Sequence, residues 1–156
     1  MVKDLADCPP LTPQSFNIGE YLVAAELTRR GYIASITVRN TAGVDILCSN
    51  AIASKTVAIQ VKTNQGRQKR WVLNQKVENL SSPNQFYVFL NLEGKTGYPE
   101  FHIVPSKILS KMVTEEHADW LKTPGKKGQV HNDSKVRQFS DPRNKYLSRW
   151  ELLGLD

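Results

Sequence analysis

Apolar and polar residues alternate along two neighbouring segments in the first half of the chain. In KTVAIQVKT, residues 55–63, the apolar side chains share one face, and Gln60 and Lys62 share the opposite face. VDILCSN, residues 44–50, precedes this segment, and the short connection NAIAS fits a hairpin loop. The pattern therefore predicts two antiparallel strands that carry two polar side chains on one face.

The remaining periodicity predicts an α/β chain. Apolar residues at helical spacing predict a first helix that begins near Thr12 or Gln14 and ends at Gly31, and a second helix that follows Pro105 with Ser106 as its cap. A short helix is expected at the end of the chain, within residues 144–155. Further strands are predicted at residues 32–40, 71–75, 85–92 and 100–105, the third of them a buried central strand. This order predicts a mixed β-sheet flanked by α-helices.

Two segments fall outside this periodic pattern. Residues 1–13 contain three prolines and are expected to form an N-terminal arm. Residues 122–143 are polar, with two prolines and two glycines, and are expected to form a long loop that is either functional or flexible. We expect the whole chain, residues 1–156, to form a single domain.

The composition narrows the class of protein. Hydrophobic residues make up 40% and charged residues 23% of the chain, which is ordinary for a globular domain with its own core. No apolar run approaches the roughly 18–20 residues that span a bilayer, so no membrane partner is expected. The N-terminus lacks the apolar segment of a signal peptide, which favours a cytoplasmic location. The two cysteines fit neither a disulfide framework nor a zinc site.

The positive charge favours a polyanionic partner such as DNA. The formal net charge is +6, and residues 62–76 contain five basic residues and no acidic one. Basic residues beside an aromatic ring suit phosphate contacts and base stacking, although a run of this kind can also be a solvated loop. The candidate DNA-binding residues are Arg67, Lys69, Arg70 and Trp71, with Lys126 and Lys127 in the polar loop.

Two carboxylates can approach the polar face of the hairpin. Antiparallel pairing across the short loop places Asp45 opposite residues 59–61, close to Gln60 and Lys62. Glu20 lies on the same helical stripe as several apolar residues of the first helix, an unusual position for a charged group. If that helix packs on the polar face, Glu20 joins the other three.

These residues together suit the hydrolysis of a phosphodiester. A hard cation such as Mg²⁺ or Mn²⁺ takes oxygen ligands, which Glu20, Asp45, the Gln60 side chain and the Val61 backbone carbonyl can supply. Lys62 can orient the attacking water or stabilise charge on the phosphate. The alternative is structural: a buried ion pair of Lys62 with Asp45, or with Glu20, and Gln60 as a hydrogen-bonding neighbour.

The order of these residues resembles that of a known nuclease superfamily. GEYLVAAELTRRGY followed by GVDIL and VAIQVKT is similar to the PD-(D/E)XK nucleases, the restriction-endonuclease-like group that includes Holliday-junction resolvases and Mrr-type enzymes. Glu20, Asp45 and Lys62 match its helix, strand-start and lysine positions. The resemblance implies a restriction-endonuclease-like core, Mg²⁺ or Mn²⁺ as cofactor, DNA as substrate and a possible homodimer.

One position departs from the family pattern. Gln60 stands where most members have Asp or Glu, as in the Gln-x-Lys form of Mrr-like members. The change removes a negative charge, so metal affinity should fall and depend more on Glu20 and Asp45. The resemblance implies a metal-dependent DNA endonuclease in repair, recombination or defence. The alternative is a catalytically inactive nuclease-like module that binds nucleic acid or a protein.

Overall fold

A mixed β-sheet forms the centre of the protein. The computed structural model describes residues 15–38, 43–65, 68–92 and 97–156. Its helices are α1, Ser15–Arg29, and α2, Ser106–Lys122. Its strands are β1 (Ile33–Ile36), β2 (Ile46–Ser49), β3 (Thr56–Asn64), β4 (Arg70–Asn74), β5 (Gln85–Asn91), β6 (Glu100–Pro105) and β7 (Val136–Ser140).

The order of the strands puts β3 in the middle. The five-stranded sheet runs β1-β2-β3-β5-β6, and β4 pairs with β7 in a separate two-stranded sheet. β3 is antiparallel to β2 and parallel to β5, so the sheet is mixed as predicted. Within the hairpin loop, the Asn50 side-chain oxygen accepts hydrogen bonds from the amides of Ser54 and Lys55, which fixes the register of β2 against β3.

Each face of the five-stranded sheet has its own core. On one face, Val23 and Leu27 of α1 pack against apolar residues of β2 and β3, including Ile59 and Val61. On the other face, α2, β4 and β7 cover β5 and β6, with Phe89 and Phe139 stacked at a ring distance of 4.3 Å. The apolar face of β3 therefore lies under α1.

The expected loop at residues 122–143 is wrong in one part, because it contains β7. β7 pairs antiparallel with β4, with Arg70 opposite Ser140. Arg137 occupies an inward-facing position of β7 and is only 4% exposed. Its Nε donates a hydrogen bond to Glu78 Oε1 at 2.5 Å. A charged residue at an inward-facing position hides the alternation of apolar residues that would otherwise mark a strand.

Some helix ends differ from those predicted from the sequence, and the predicted start of α1 lies outside the described residues. Ser106 is not the cap of α2: it is the first helical residue, and its hydroxyl donates to Ser82 O at 2.9 Å and accepts from Ser82 N. The last helix is reduced to a 3-10 turn, Trp150–Leu153. α1 ends before Gly31, whose φ of 88° suits a glycine, as predicted. The start of α1 near Thr12 and the arm at 1–13 lie outside the described residues.

α1 approaches β3 so closely that one helix position excludes a side chain. A Cβ added to Gly19 would overlap the Thr63 hydroxyl and lie 3.4 Å from Val61 Cγ1. Thr63 is β-branched and stiff, so it cannot turn away cheaply. Gly19 is therefore required where α1 crosses the second half of β3.

We expect Gly19→Ala to destabilise the protein by about 1–3 kcal/mol in urea unfolding, because overpacking outweighs the gain of about 1 kcal/mol in helix propensity. Thr63→Ala removes the overlapping hydroxyl. In that background Gly19→Ala should lose part of its cost, since the overlap with the hydroxyl is gone while tight contacts to the residue 63 Cβ at 3.2 Å and to Val61 Cγ1 at 3.4 Å remain. Equal losses in both backgrounds would contradict this account of the crossing.

Candidate active site

Asp45 is fixed at the point where β2 begins. Its backbone amide donates to Ile59 O at 2.9 Å, and its carbonyl accepts from Thr37 N at 2.9 Å. Its carboxylate Oδ2 accepts a hydrogen bond from the Val61 amide at 2.7 Å. In the described part of the chain, the other oxygen, Oδ1, accepts no hydrogen bond. The carboxylate thus takes the place of a backbone carbonyl beside β3 and keeps one oxygen available.

Gln60 and Lys62 lie on the face of the sheet away from α1. They pair in register with Tyr87 and Phe89 of the parallel strand β5, and residues in register on neighbouring strands point to the same face. Both side chains are half-buried. Neither makes a hydrogen bond or an ion pair with any residue in the described ranges. Two polar groups are therefore held near Asp45 without a structural partner.

The charge of Asp45 acts on this same face. The pKa of the Tyr87 phenol is raised, first by burial and then by the nearby negative charge of Asp45. Gln85 Nε2 also donates to Gly43 O at 3.4 Å, which ties the residues before Asp45 to the start of β5. Asp45, Gln60 and Tyr87 thus surround one region at the sheet.

The structural alternative for these residues is wrong. Lys62 forms no ion pair with Asp45, which bonds the Val61 amide instead, and none with Glu20 or any other residue that the structure describes. An ion pair between half-buried charges would have offset their desolvation. Its absence leaves the ammonium group of Lys62 and the second oxygen of Asp45 available to a ligand.

Glu20 lies elsewhere than expected. The buried stripe of α1 is formed by Gly19, Val23 and Leu27, with Glu20 half-buried at its flank rather than at its centre. α1 covers the face of β3 opposite Gln60, because the apolar side chains of β3 must be covered. The condition under which Glu20 would join the other three, packing of α1 on the polar face, is therefore not met.

The Val61 carbonyl faces the same gap as the Asp45 carboxylate. The Ala58 amide donates to Asn84 O, and the Asn64 carbonyl accepts from Leu92 N. The backbone N–H and C=O groups of residues two apart along a strand point to the same side. In β3 the groups of the even-numbered residues therefore point towards β5, and those of Val61 point towards β2. β2 does not extend as far as Val61, since its first residue, Ile46, pairs with Ile59. The carbonyl is thus placed where the ladder leaves it unpaired.

The donor set suits a hard cation better than a soft one. No group of three or more His, Cys, Asp or Glu residues that could hold a metal exists among the described residues. The oxygens beside the start of β2 are those of the Asp45 carboxylate, the Gln60 amide and the Val61 carbonyl, and Glu20 is the further carboxylate that the sequence predicts. Mg²⁺ and Mn²⁺ accept such all-oxygen sets, so the residues fit the metal that the resemblance implies.

The predicted DNA-binding residues separate into different environments. Trp71 is wrong as a base-stacking residue: it is 2% exposed, its Nε1 donates to Leu90 O at 3.1 Å, and it packs inside the core. Lys69 is held by Glu100 at 2.9 Å and by Asn144 at 2.7 Å. Arg70, Lys126 and Lys127 are exposed, and Arg67 lies outside the described residues.

Tyr87 lies beside the predicted site residues, a position that the sequence did not reveal. YVF within the most apolar segment indicates a buried strand, and nothing in it points to chemistry. Only the register of β5 against β3 shows that Tyr87 stands beside Gln60.

Comparisons with known proteins support the fold. No protein-family model matches the chain, and no curated protein matches its sequence at a significant level. The structure is similar to that of a bacterial homing endonuclease, with 14% identity, a TM-score of 0.55 and 94% of each chain covered. It is also similar to a Holliday junction resolvase of Archaeoglobus fulgidus, with 13% identity, a TM-score of 0.47 and coverage of 81% of this chain and 84% of the other.

The predicted fold class is therefore confirmed. The chain has a mixed sheet flanked by helices, and it shares this fold with the homing endonuclease over nearly its whole length. Among the described residues, no helix has the length and apolarity that a membrane span requires.

Asp45 should contribute to stability through its hydrogen bond as well as through its charge. Asp45→Ala leaves the Val61 amide without an acceptor, so we expect a loss of about 1–3 kcal/mol in urea unfolding. Asp45→Asn keeps an acceptor oxygen and should cost less than about 1 kcal/mol. Asp119→Ala, at an exposed site on α2, is the control. Similar losses for the two Asp45 variants would contradict a role for the bond to Val61.

Proposed function

We propose that the protein is a metal-dependent DNA endonuclease that hydrolyses phosphodiester bonds. The observation that carries the proposal is the set of unpaired polar groups beside the Asp45 carboxylate. Gln60 and Lys62 are half-buried without a protein partner in the described ranges, next to a carboxylate with one oxygen available. A cation or a phosphate oxygen could therefore contact these groups without displacing a protein partner.

The proposed ligands for Mg²⁺ or Mn²⁺ are Asp45, Glu20, the Gln60 amide oxygen and the Val61 carbonyl. A bound cation of this kind would polarise the scissile phosphate and lower the pKa of an attacking water. The hydrogen bond from the Val61 amide holds the Asp45 carboxylate in one orientation before any ligand arrives. Asp45 and the Val61 carbonyl are therefore the positioned members of this set.

Lys62 acts on the phosphate in this proposal. Its ammonium group is not neutralised by a carboxylate, so it can stabilise the charge that develops on the phosphate oxygens as water attacks in line. Gln60 keeps the oxygen of an acidic ligand but not its charge. The site consequently carries one negative charge fewer around the cation, and Lys62 is correspondingly less neutralised.

DNA is the proposed substrate because the protein is basic and the fold is shared with a homing endonuclease. The exposed Arg70, Lys126 and Lys127 would contribute phosphate contacts, together with Arg67, and binding should weaken as salt rises. We place the activity on cytoplasmic DNA, in repair, recombination or defence. A homodimer would bring two sites to the two strands of a duplex.

The second candidate is a catalytically inactive module with the same fold that binds nucleic acid or a protein. Gln60 favours it, because loss of an acidic ligand weakens metal binding. The unpaired Lys62 would then contact a phosphate without promoting its hydrolysis. Metal-dependent cleavage separates the two candidates.

Lys62 should be needed for cleavage and not for the fold. With Mg²⁺ or Mn²⁺, we expect the wild type to nick supercoiled plasmid or a branched DNA substrate, and Lys62→Met to cut roughly 10²–10³-fold more slowly because the phosphate charge is no longer stabilised. Lys107→Met, at an exposed position on α2, is the matched control and should cut like the wild type.

The cleavage experiment has two outcomes that contradict the endonuclease. The first is binding of DNA by the wild type with no cutting of plasmid, linear or branched DNA under either metal, which supports the inactive module. The second is equal cleavage rates for the wild type and Lys62→Met, with both dependent on metal. That result would place the chemistry at another site.

Restoring the missing acid should strengthen metal binding. Gln60→Glu adds a carboxylate at a position beside Asp45, so we expect the Mn²⁺ dissociation constant measured by isothermal titration to fall by roughly tenfold or more. Asp45→Asn should abolish measurable binding. Lack of any effect of Gln60→Glu would show that residue 60 does not contact the cation.

A further inference from the structure

The Tyr87 hydroxyl makes no hydrogen bond within the described residues, although its ring is buried. The residue is 2% exposed, and its ring stacks on Phe89 with a centroid distance of 5.9 Å. The hydroxyl forms no hydrogen bond with any residue in the described segments. Among the described residues, the buried side-chain polar atoms without a partner are His102 Nε2 and Trp150 Nε1, and this hydroxyl is not one of them. The ring is therefore held by packing, while the hydroxyl can donate to a ligand.

The strands place this donor at the candidate active site. Tyr87 pairs with Gln60 on one side and with Val104 on the other, and it shares the face of Gln60 and Lys62. Burial, and after it the negative charge of Asp45, raises the pKa of the phenol. The phenol is neutral at physiological pH, so it can donate a hydrogen bond to an anionic oxygen.

No acceptor among the described residues is bonded to this hydroxyl. Asp45 Oδ2 is occupied by the Val61 amide, and no bond joins Tyr87 to the remaining oxygen of Asp45. Gln60 could accept, yet it makes no hydrogen bond with Tyr87 or with the rest of the described chain. A ligand oxygen that approaches Gln60 and Lys62 from this face would meet the hydroxyl.

We propose that Tyr87 is a phosphate-binding residue of the site, whose hydroxyl donates a hydrogen bond to a non-bridging oxygen of the bound phosphodiester. The proposal rests on the proposed function, and it adds a neutral donor to the cationic Lys62. Gln60 lies between these two residues on the sheet. Lys62 and Tyr87 would thus bind the phosphate from two neighbouring strands, β3 and β5.

The test compares Tyr87→Phe with Tyr21→Phe, which removes the hydroxyl of a tyrosine that is 64% exposed on α1. Under single-turnover conditions with Mg²⁺, we expect Tyr87→Phe to cut DNA roughly 10–100-fold more slowly than the wild type, as for loss of a hydrogen bond to a charged group. Its thermal unfolding midpoint should be unchanged, since the hydroxyl makes no hydrogen bond with a described residue. Tyr21→Phe should behave as wild type.

A second measurement on the wild type does not depend on activity. Tyrosine is labelled with ¹³C at Cζ, the Tyr87 signal is assigned by its loss in Tyr87→Phe, and a short DNA duplex is added with Ca²⁺ in place of Mg²⁺. We expect the Tyr87 signal to move when DNA is added and the Tyr21 signal to stay.

The outcomes separate this proposal from the proposed function. Wild-type cleavage by Tyr87→Phe, or a Tyr87 signal that DNA leaves unmoved, overturns the role of Tyr87. If the wild type cuts no DNA, the endonuclease fails, and the labelled signal alone decides: movement with DNA supports a phosphate contact in a non-cutting module, and no movement overturns it.

Discussion

The two faces of β3 impose the arrangement on which the rest of the structure depends. One face is apolar and has to be covered, so α1 crosses it closely enough to require Gly19. The other face carries Gln60 and Lys62, which then point away from α1 and lie in register with β5. A shift of one residue in this register would exchange the two faces and would bury the polar pair under the helix.

The candidate site combines one anchored carboxylate with half-buried polar groups that make no hydrogen bond in the described part of the chain. Asp45 is the one member that is anchored, through the Val61 amide, whereas Gln60, Lys62 and Tyr87 have no acceptor or donor among the described residues. In such a site, the rigid Asp45 carboxylate would fix the position of the ligand, and the side chains of the other residues would adjust to it.

The sequence predicts the parts of the fold that depend on local signals. The hairpin of β2 and β3, the alternation that separates Gln60 from Val61, and the end of α1 at Gly31 all follow from short-range rules. The position of Glu20 does not follow, because α1 has apolar residues on more than one side and the stripe that becomes buried depends on which face of the sheet needs cover.

Other features depend on residues far apart in the chain. Trp71 stands among basic residues in the sequence, and only its pairing with the strand β7 shows that it belongs to the core. β7 itself is hidden because Arg137 occupies an inward position and is satisfied by Glu78. Tyr87 is similar: a tyrosine in an apolar strand has no functional signature until the neighbouring strand is known.

The pairing of β4 with β7 also has a consequence for the order of folding. It joins Arg70 to Ser140, whereas α1 and the β1–β3 segment contact one another over short stretches of sequence. Closing a long loop has a larger entropic cost than forming a hairpin. We therefore expect the half of the molecule that carries Asp45, Gln60 and Lys62 to gain protection from amide exchange before the second sheet forms, which pulsed hydrogen-exchange labelling during refolding would detect. The candidate site would then be assembled before the core that closes beside it.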